Sequence, residues 1–315
     1  MTENVFIAGD WGTTNLRLYL CQFNQSEPTQ VLGELTGPGV SQLNGEFEQV
    51  FFELAGTWLA EHGPVPVILS GMVGSTIGWR EAPYLECPVA AEQIVAGRTH
   101  FQAGGLEFSI IAGLKVKNPL GTPDLMRGEE LQLLGWMRSG SVLEAGEHLV
   151  ALPGTHNKWV LLKNGRLETF VTAVTGELFS LLCKHSILIA EPEVGSFSTD
   201  AFMQGVRAIC KVGGEQLLHA IFATRSRQVL GEMSERDASS YLSGLLVGSD
   251  VIGAKKLFGE RMSESAMVTL IGDSALSHCY QLVLEYLGIK VETCDARRIA
   301  IAGYEAIYKS LYTEG

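Results

Sequence analysis

The chain has 315 residues, enough for about two domains, and 46% hydrophobic against 18% charged residues excludes a disordered polymer. A chain of this length can bury a core without disulfides or structural metals. Its formal charge of -12 (23 Lys+Arg against 35 Asp+Glu) repels a polyphosphate backbone, so no nucleic-acid partner is expected, while a small phosphorylated ligand held by local donors is not excluded.

In chain order, Val5-Phe6-Ile7-Ala8 and Leu16-Arg17-Leu18-Tyr19-Leu20 read as a hairpin of two strands. Residues 47–60 carry apolar residues at helical spacing. Residues 65–69 and 108–112 read as strands and 128–137 as a helix. Ser139-Gly140-Ser141 to Glu147 has the composition of a boundary, giving expected domains over 1–145 and 146–315. In the second half, 149–152 and 159–162 read as strands, 175–188 and 238–257 as helices. Residues 190–230 show no strong period and read as an irregular insert with some helix. A strand at 268–271, a helix at 276–287, a strand at 290–293 and a helix at 297–311 complete an α/β chain. No apolar run reaches the length of a membrane span, and Met1-Thr2-Glu3-Asn4 lacks a cationic leader region, so a cytoplasmic protein with no membrane partner is expected. The six cysteines show no CxxC pair and read as reduced thiols.

The chain repeats itself. At an offset of 142, the stretch starting at Ile7 faces the one starting at Leu149, with Gly12/Gly154, Thr13/Thr155, Asn15/Asn157 and Leu20/Leu162 identical. Each copy is strand, Gly-Thr turn, strand. Glycine permits a positive φ that lets turn N–H groups converge, and such a concavity binds an anion without net positive charge. Two of them would hold a phosphate chain from both sides. Asp10 in the first copy stands where the second has Leu152, and one carboxylate suits a Mg²⁺–nucleotide. There is no GxxxxGK[ST], so a P-loop is excluded, and no GxGxxG follows a strand.

Asp10-Trp11-Gly12-Thr13-Thr14 resembles the first phosphate motif of the actin/hexokinase/Hsp70 ATPase superfold, and Pro153-Gly154-Thr155-His156-Asn157-Lys158-Trp159 its second. Ile271-Gly272-Asp273-Ser274 resembles its adenosine motif. Ser70-Gly71-Met72-Val73-Gly74-Ser75, Gly78-Trp79-Arg80, Met126-Arg127-Gly128-Glu129-Glu130, Thr175-Gly176-Glu177-Leu178 and Tyr241-Leu242-Ser243-Gly244 are similar to the 2-dehydro-3-deoxygalactonokinase family, in order over nearly the whole chain. The resemblance implies two duplicated RNase H-like domains with an interdomain nucleotide cleft. It implies transfer of the ATP γ-phosphate to 2-dehydro-3-deoxy-D-galactonate. A kinase for another sugar acid, such as 2-dehydro-3-deoxygluconate, and a non-kinase ATPase or sensor stay open.

For the site, Asp10 is the expected Mg²⁺ residue. Gly12, Thr13, Thr14, Asn15, Gly154, Thr155 and His156 are expected to cradle phosphates, and Gly272 and Asp273 to approach the adenosine. By analogy with sugar kinases, Asp124 is the candidate base, with Glu129 and Glu130 as rivals that otherwise serve the N-terminus of a helix. Arg80, Arg127 and Lys158 are candidates for the substrate carboxylate. A homodimer is expected on base rates alone.

Overall fold

The computed structural model describes residues 4–139, 146–189, 197–263 and 266–313. Most of the expected boundary segment (140–145) and the start of the expected insert (190–196) lie outside the described residues. The chain is mixed α/β and divides into two compact units. The first comprises 1–146, 163–169 and 296–315; the second comprises 147–162 and 170–295.

The first unit contains β1 (Val5–Trp11), β2 (Asn15–Gln22), β3 (Gln30–Pro38), α1 (Phe47–His62), β4 (Val67–Ser70), β5 (Tyr84–Glu86), β6 (Val89–Ala90), α2 (Ala91–Ala96), β7 (Thr99–Ala103), β8 (Leu106–Ile110), β9 (Gly113–Lys117), β10 (Pro123–Met126) and α3 (Glu129–Arg138). Its main sheet runs β3-β2-β1-β4-β8-β7. β1, β2 and β3 form an antiparallel meander, and β4 lies parallel to β1, as β8 does to β4. The strand β4 is buried along its whole length, and Val67, Ile68 and Leu69 are all apolar because both of its faces are covered. Trp11, Phe51, Trp79 and Phe108 build the core with edge-to-face rings. Trp79 is therefore part of this core. A small sheet, β10-β9-β5, stands apart from the main one.

The second unit contains β11 (Glu147–Leu152), β12 (Asn157–Lys163), the second half of β13 (Arg166–Ala173), α4 (Thr175–His185), α5 (Thr199–Val212), α6 (Leu217–Ala220), α7 (Ala223–Val229), α8 (Glu235–Phe258), β14 (Met267–Gly272), α9 (Ser274–Tyr286) and β15 (Lys290–Asp295). Its strands run β15-β14-β11-β12-β13, with β14 parallel to both β11 and β15. The final helix, α10 (Ala296–Tyr312), belongs to the first unit and packs along α3.

The irregular insert is a correction. Residues 199–212 form a regular helix, α5, burying Phe202, Val206 and Ile209 at i, i+4 and i+7. Ser198 caps it, accepting from the Ala201 amide. α6 and α7 follow, so the segment is largely helical. Among the described residues, no helix is long and apolar enough to cross a membrane.

Candidate active site

In the first unit, β1 and β2 are joined by the turn Gly12-Thr13-Thr14, closed by the Gly12 amide donating to Asn15 O at 2.9 Å. The turn's carbonyls are all occupied from the segment after β3. Val40 N donates to Gly12 O, Ser41 N to Thr13 O and Gly39 N to Thr14 O. The Ser41 hydroxyl adds a bond to Thr13 O and Gln42 one to Thr14 O. None of these bonds uses the Thr13 or Thr14 amide, and both threonines are exposed. Gly39 makes the backing possible: a Cβ there would lie 2.2 Å from the Thr14 carbonyl carbon. Sequence reasoning passed over Gly39.

The reason given for Gly12 and Gly154 needs correction. Neither has a positive φ. A Cβ on Gly12 would meet only Asn15 O at 3.5 Å, and one on Gly154 only Leu152 O at 4.0 Å. What these glycines supply is an open face on which backbone is reachable.

Asp10 is the one solvent-reachable residue of β1, paired across the hairpin with Arg17. Desolvation nonetheless raises its pKa, Arg17 lowers it and Glu129 raises it further. The strand end beside it is occupied by Gly71, whose φ of +89 disfavours a side chain and where a Cβ would lie 2.9 Å from Trp11 O. A Cβ there would also lie 3.1 Å from Asp10 Oδ1. Ser70, opposite Asp10 in β4, shares a 2.7 Å hydrogen bond with Tyr304 of α10, whose phenol is pushed up by burial and, secondarily, by the charge of Asp10.

Gly128, with φ +115, brings the start of α3 against Gly71. Its amide donates to Glu130 Oε2 at 2.6 Å. Glu130 is fully buried, Oε1 has no hydrogen-bond partner, and desolvation with the neighbouring Glu129 charge pushes its carboxyl up to about 8. Glu130 is therefore mostly protonated at neutral pH. Arg127 donates from Nε to the Tyr84 hydroxyl (3.1 Å) and from Nη2 to Ala82 O (2.8 Å), stacked over the Tyr84 ring; its Nη1 is buried without a partner. The first unit thus assembles Asp10, the first turn, Arg127, Glu129 and Glu130. Asp124 accepts from Asn118 and the Leu125 amide and lines a cavity of about 620 Å³ beside β9, whose wall includes Tyr84, the ring under Arg127. Arg80 is exposed over the Phe101 ring and donates to Trp79 O.

In the second unit, Pro153-Gly154-Thr155-His156 joins β11 to β12. The start of α4 backs it. A Cβ on Gly176 would lie 2.5 Å from Gly154 O. The Glu177 amide donates to Thr155 O, and its carboxylate pairs with His156 Nε2 at 2.6 Å. Lys158 is buried and donates to His156 O. Gly272, at the end of β14, comes against Pro153, and Asp273 caps α9 by accepting from the Ala275 amide. A mainly apolar cavity of about 660 Å³ opens here, lined by Gly154, Gly176, Phe179, Asp273 and Leu276 among others. Asp250 lies next to these elements and was absent from the expected set. Its signal is a lone charge in the apolar run Leu245–Ile252 of α8.

The model of the 2-keto-3-deoxy-galactonokinase family matches residues 10–307. The chain belongs to this family. It is 33% identical to a Rhizobium meliloti (strain 1021) protein named probable 2-dehydro-3-deoxygalactonokinase, over 99% of both chains. It is also 33% identical to the 2-dehydro-3-deoxygalactonokinase of Escherichia coli (strain K12), over 94% of this chain and 92% of that one. A crystal structure from Sinorhizobium meliloti, described provisionally as a 2-dehydro-3-deoxygalactonokinase, superposes with a TM-score of 0.83 at 31% identity over 98% of both chains. As a galactonokinase-family chain, the protein is a kinase whose fold is that of this neighbour.

Proposed function

We propose that this kinase transfers the γ-phosphoryl group of ATP to the 6-hydroxyl of 2-dehydro-3-deoxy-D-galactonate. The observation that carries the reading of the site is that Gly154 of the second turn also lines the 660 Å³ apolar cavity. Phosphate-type donors and a nucleoside-sized pocket therefore adjoin. Adenosine occupies that cavity beside Gly272 and Asp273, and Gly154, Thr155 and His156 meet its phosphates. Thr13 and Thr14 meet them through their amides and hydroxyls, and Gly12 and Asn15 close the turn that presents those groups.

The residues around Asp10 fit a magnesium ion. Its carboxylate is desolvated beside the charge of Glu129, an arrangement that a divalent cation relieves. Asp10 would hold the ion together with phosphate oxygens and water, and Mg²⁺ supplies neutralisation of the charge on the transferring phosphoryl group.

Glu129 is the base. Its charge acts directly on Asp10, whereas Glu130 keeps its proton at neutral pH and Asp124 is bound into the β9–β10 region. Accepting the proton of the attacking hydroxyl is the chemistry it supplies. Arg127 receives the substrate carboxylate on its unpartnered Nη1. Lys158 serves the turn rather than the substrate, and Arg80 remains a peripheral candidate.

Both halves derive from one duplicated RNase H-like unit of actin/hexokinase type, the chain passing from the first to the second near residue 145 and α10 returning to the first. The support is that β3-β2-β1-β4-β8 and β13-β12-β11-β14-β15 follow the same order from hairpins 142 residues apart. A cytoplasmic homodimer completes the reading. Phosphorus–proton correlated NMR of the product tests the reaction: coupling of the new phosphorus to the C6 protons is expected, and an ester elsewhere rejects the assigned hydroxyl.

A further inference from the structure

Asp250 sits two-thirds of the way along α8 and receives four hydrogen bonds. Oδ2 accepts from Asn157 Nδ2 (2.9 Å), Thr175 Oγ1 (2.7 Å) and the Tyr280 hydroxyl (2.5 Å). Oδ1 accepts from Trp159 Nε1 at 2.9 Å. Asn157 and Trp159 are fully enclosed on β12. The Asn157 amide and the Trp159 indole N–H can only donate, and with the Thr175 and Tyr280 hydroxyls they form a shell suited to a carboxylate. Burial pushes the Asp250 pKa up, and the four bonds counter that shift.

The identity of the four donors gives the carboxylate its meaning. Asn157 follows His156 directly, so it fixes the end of the second turn. Thr175 precedes Gly176 and Glu177, which press on Gly154, bond Thr155 O and hold His156. Both supports of the turn are thus tied to one side chain that does not itself line the cavity. We propose that Asp250 is the positioning residue of the second phosphate turn, holding Asn157 and Thr175 so that Gly154, Thr155 and His156 present their donors to a nucleotide phosphate. This rests on the reading of that turn as a nucleotide site.

The test uses the full-length protein with ADP as probe. Asp250→Asn keeps the size of the side chain but turns one acceptor into a donor among donors. ADP should bind about tenfold more weakly, and the KM for ATP should rise in parallel. The KM for the sugar acid should stay within about twofold, because the residues proposed for that substrate, Arg127 and Glu129, are not members of the network. Thr175→Val should weaken ADP binding too, and the double variant should bind no worse than about the weaker single, as members of one network do. A structural role alone lowers the melting temperature but leaves the ADP affinity of the folded protein unchanged; that result overturns the proposal, as do multiplying defects in the double variant. His156→Ala separates the two readings. If it weakens ADP binding and Asp250→Asn does not, positioning by Asp250 is wrong and the turn reading stands. If neither changes it, the turn reading falls and takes the proposal with it. Should Asp250→Asn fail to fold, Thr175→Val and Asn157→Ser decide by the same titration.

Discussion

Burial holds the Glu130 carboxyl in its neutral form, and this has a measurable signature. Its pKa is raised from 4.5 to about 8, so folding favours the protonated group. The stability it contributes is fully present below pH 4.5 and is lost as pH rises through about 8. Glu130→Gln should therefore flatten the pH dependence of the melting temperature across that window and leave the protein at least as stable as the parent at its upper end. An unchanged slope would mean that Glu130 is ionised throughout. Asp10→Asn should lower kcat by about a hundredfold or more in a coupled ADP-release assay, since it removes the charge assigned to the metal. Glu129→Gln should lower kcat by about a hundredfold with nucleotide binding retained, while Asp124→Asn keeps near-normal turnover. The opposite pattern returns the base role to Asp124. At this scale the sequence pointed to residues standing in motifs, because a repeated Gly-Thr turn is local in the chain. Asp250 stands out in the sequence only as a lone charge in an apolar stretch; its role was illegible because its four partners come from positions 157, 159, 175 and 280, and no spacing links them.

The two hairpins share an architectural device. Each turn is backed by a glycine from a distant segment, Gly39 for the first and Gly176 for the second. Gly39→Ala puts a methyl group within 2.2 Å of backbone, which cannot move as a side-chain tip can. It should cost about 1–3 kcal/mol in chemical denaturation and raise the KM for ATP. A full-strength enzyme with unaltered stability would show that the turn does not depend on this contact. Elements with a strong period or an apolar run were legible: α1, α3, α8 and the hairpin strands fall close to their expected spans. α5 was legible in principle, since Phe202, Val206 and Ile209 follow the helical repeat, but the surrounding short helices blurred it. β3, β7, β9 and β10 were missed. β3 and β7 alternate only between exposed and half-covered residues, and β9 and β10 belong to a small sheet with an exposed face.

At the scale of the whole molecule, the net charge of -12 is compatible with two anionic substrates. On the proposed reading attraction is local: the two turns, the Arg127 guanidinium and a metal at Asp10 would act without a basic surface. The return of α10 to the first unit has no signal in its own residues, because its partner α3 lies more than 150 positions earlier. Family membership over residues 10–307 fixes the chemistry as that of a kinase, and the specificity claim is the sharper one. It is tested most directly by coupled ADP release over a panel of sugar acids and neutral sugars. The account predicts that 2-dehydro-3-deoxy-D-galactonate gives the highest kcat/KM. It is contradicted if a neutral sugar stimulates ADP release while no 2-keto-3-deoxy acid does.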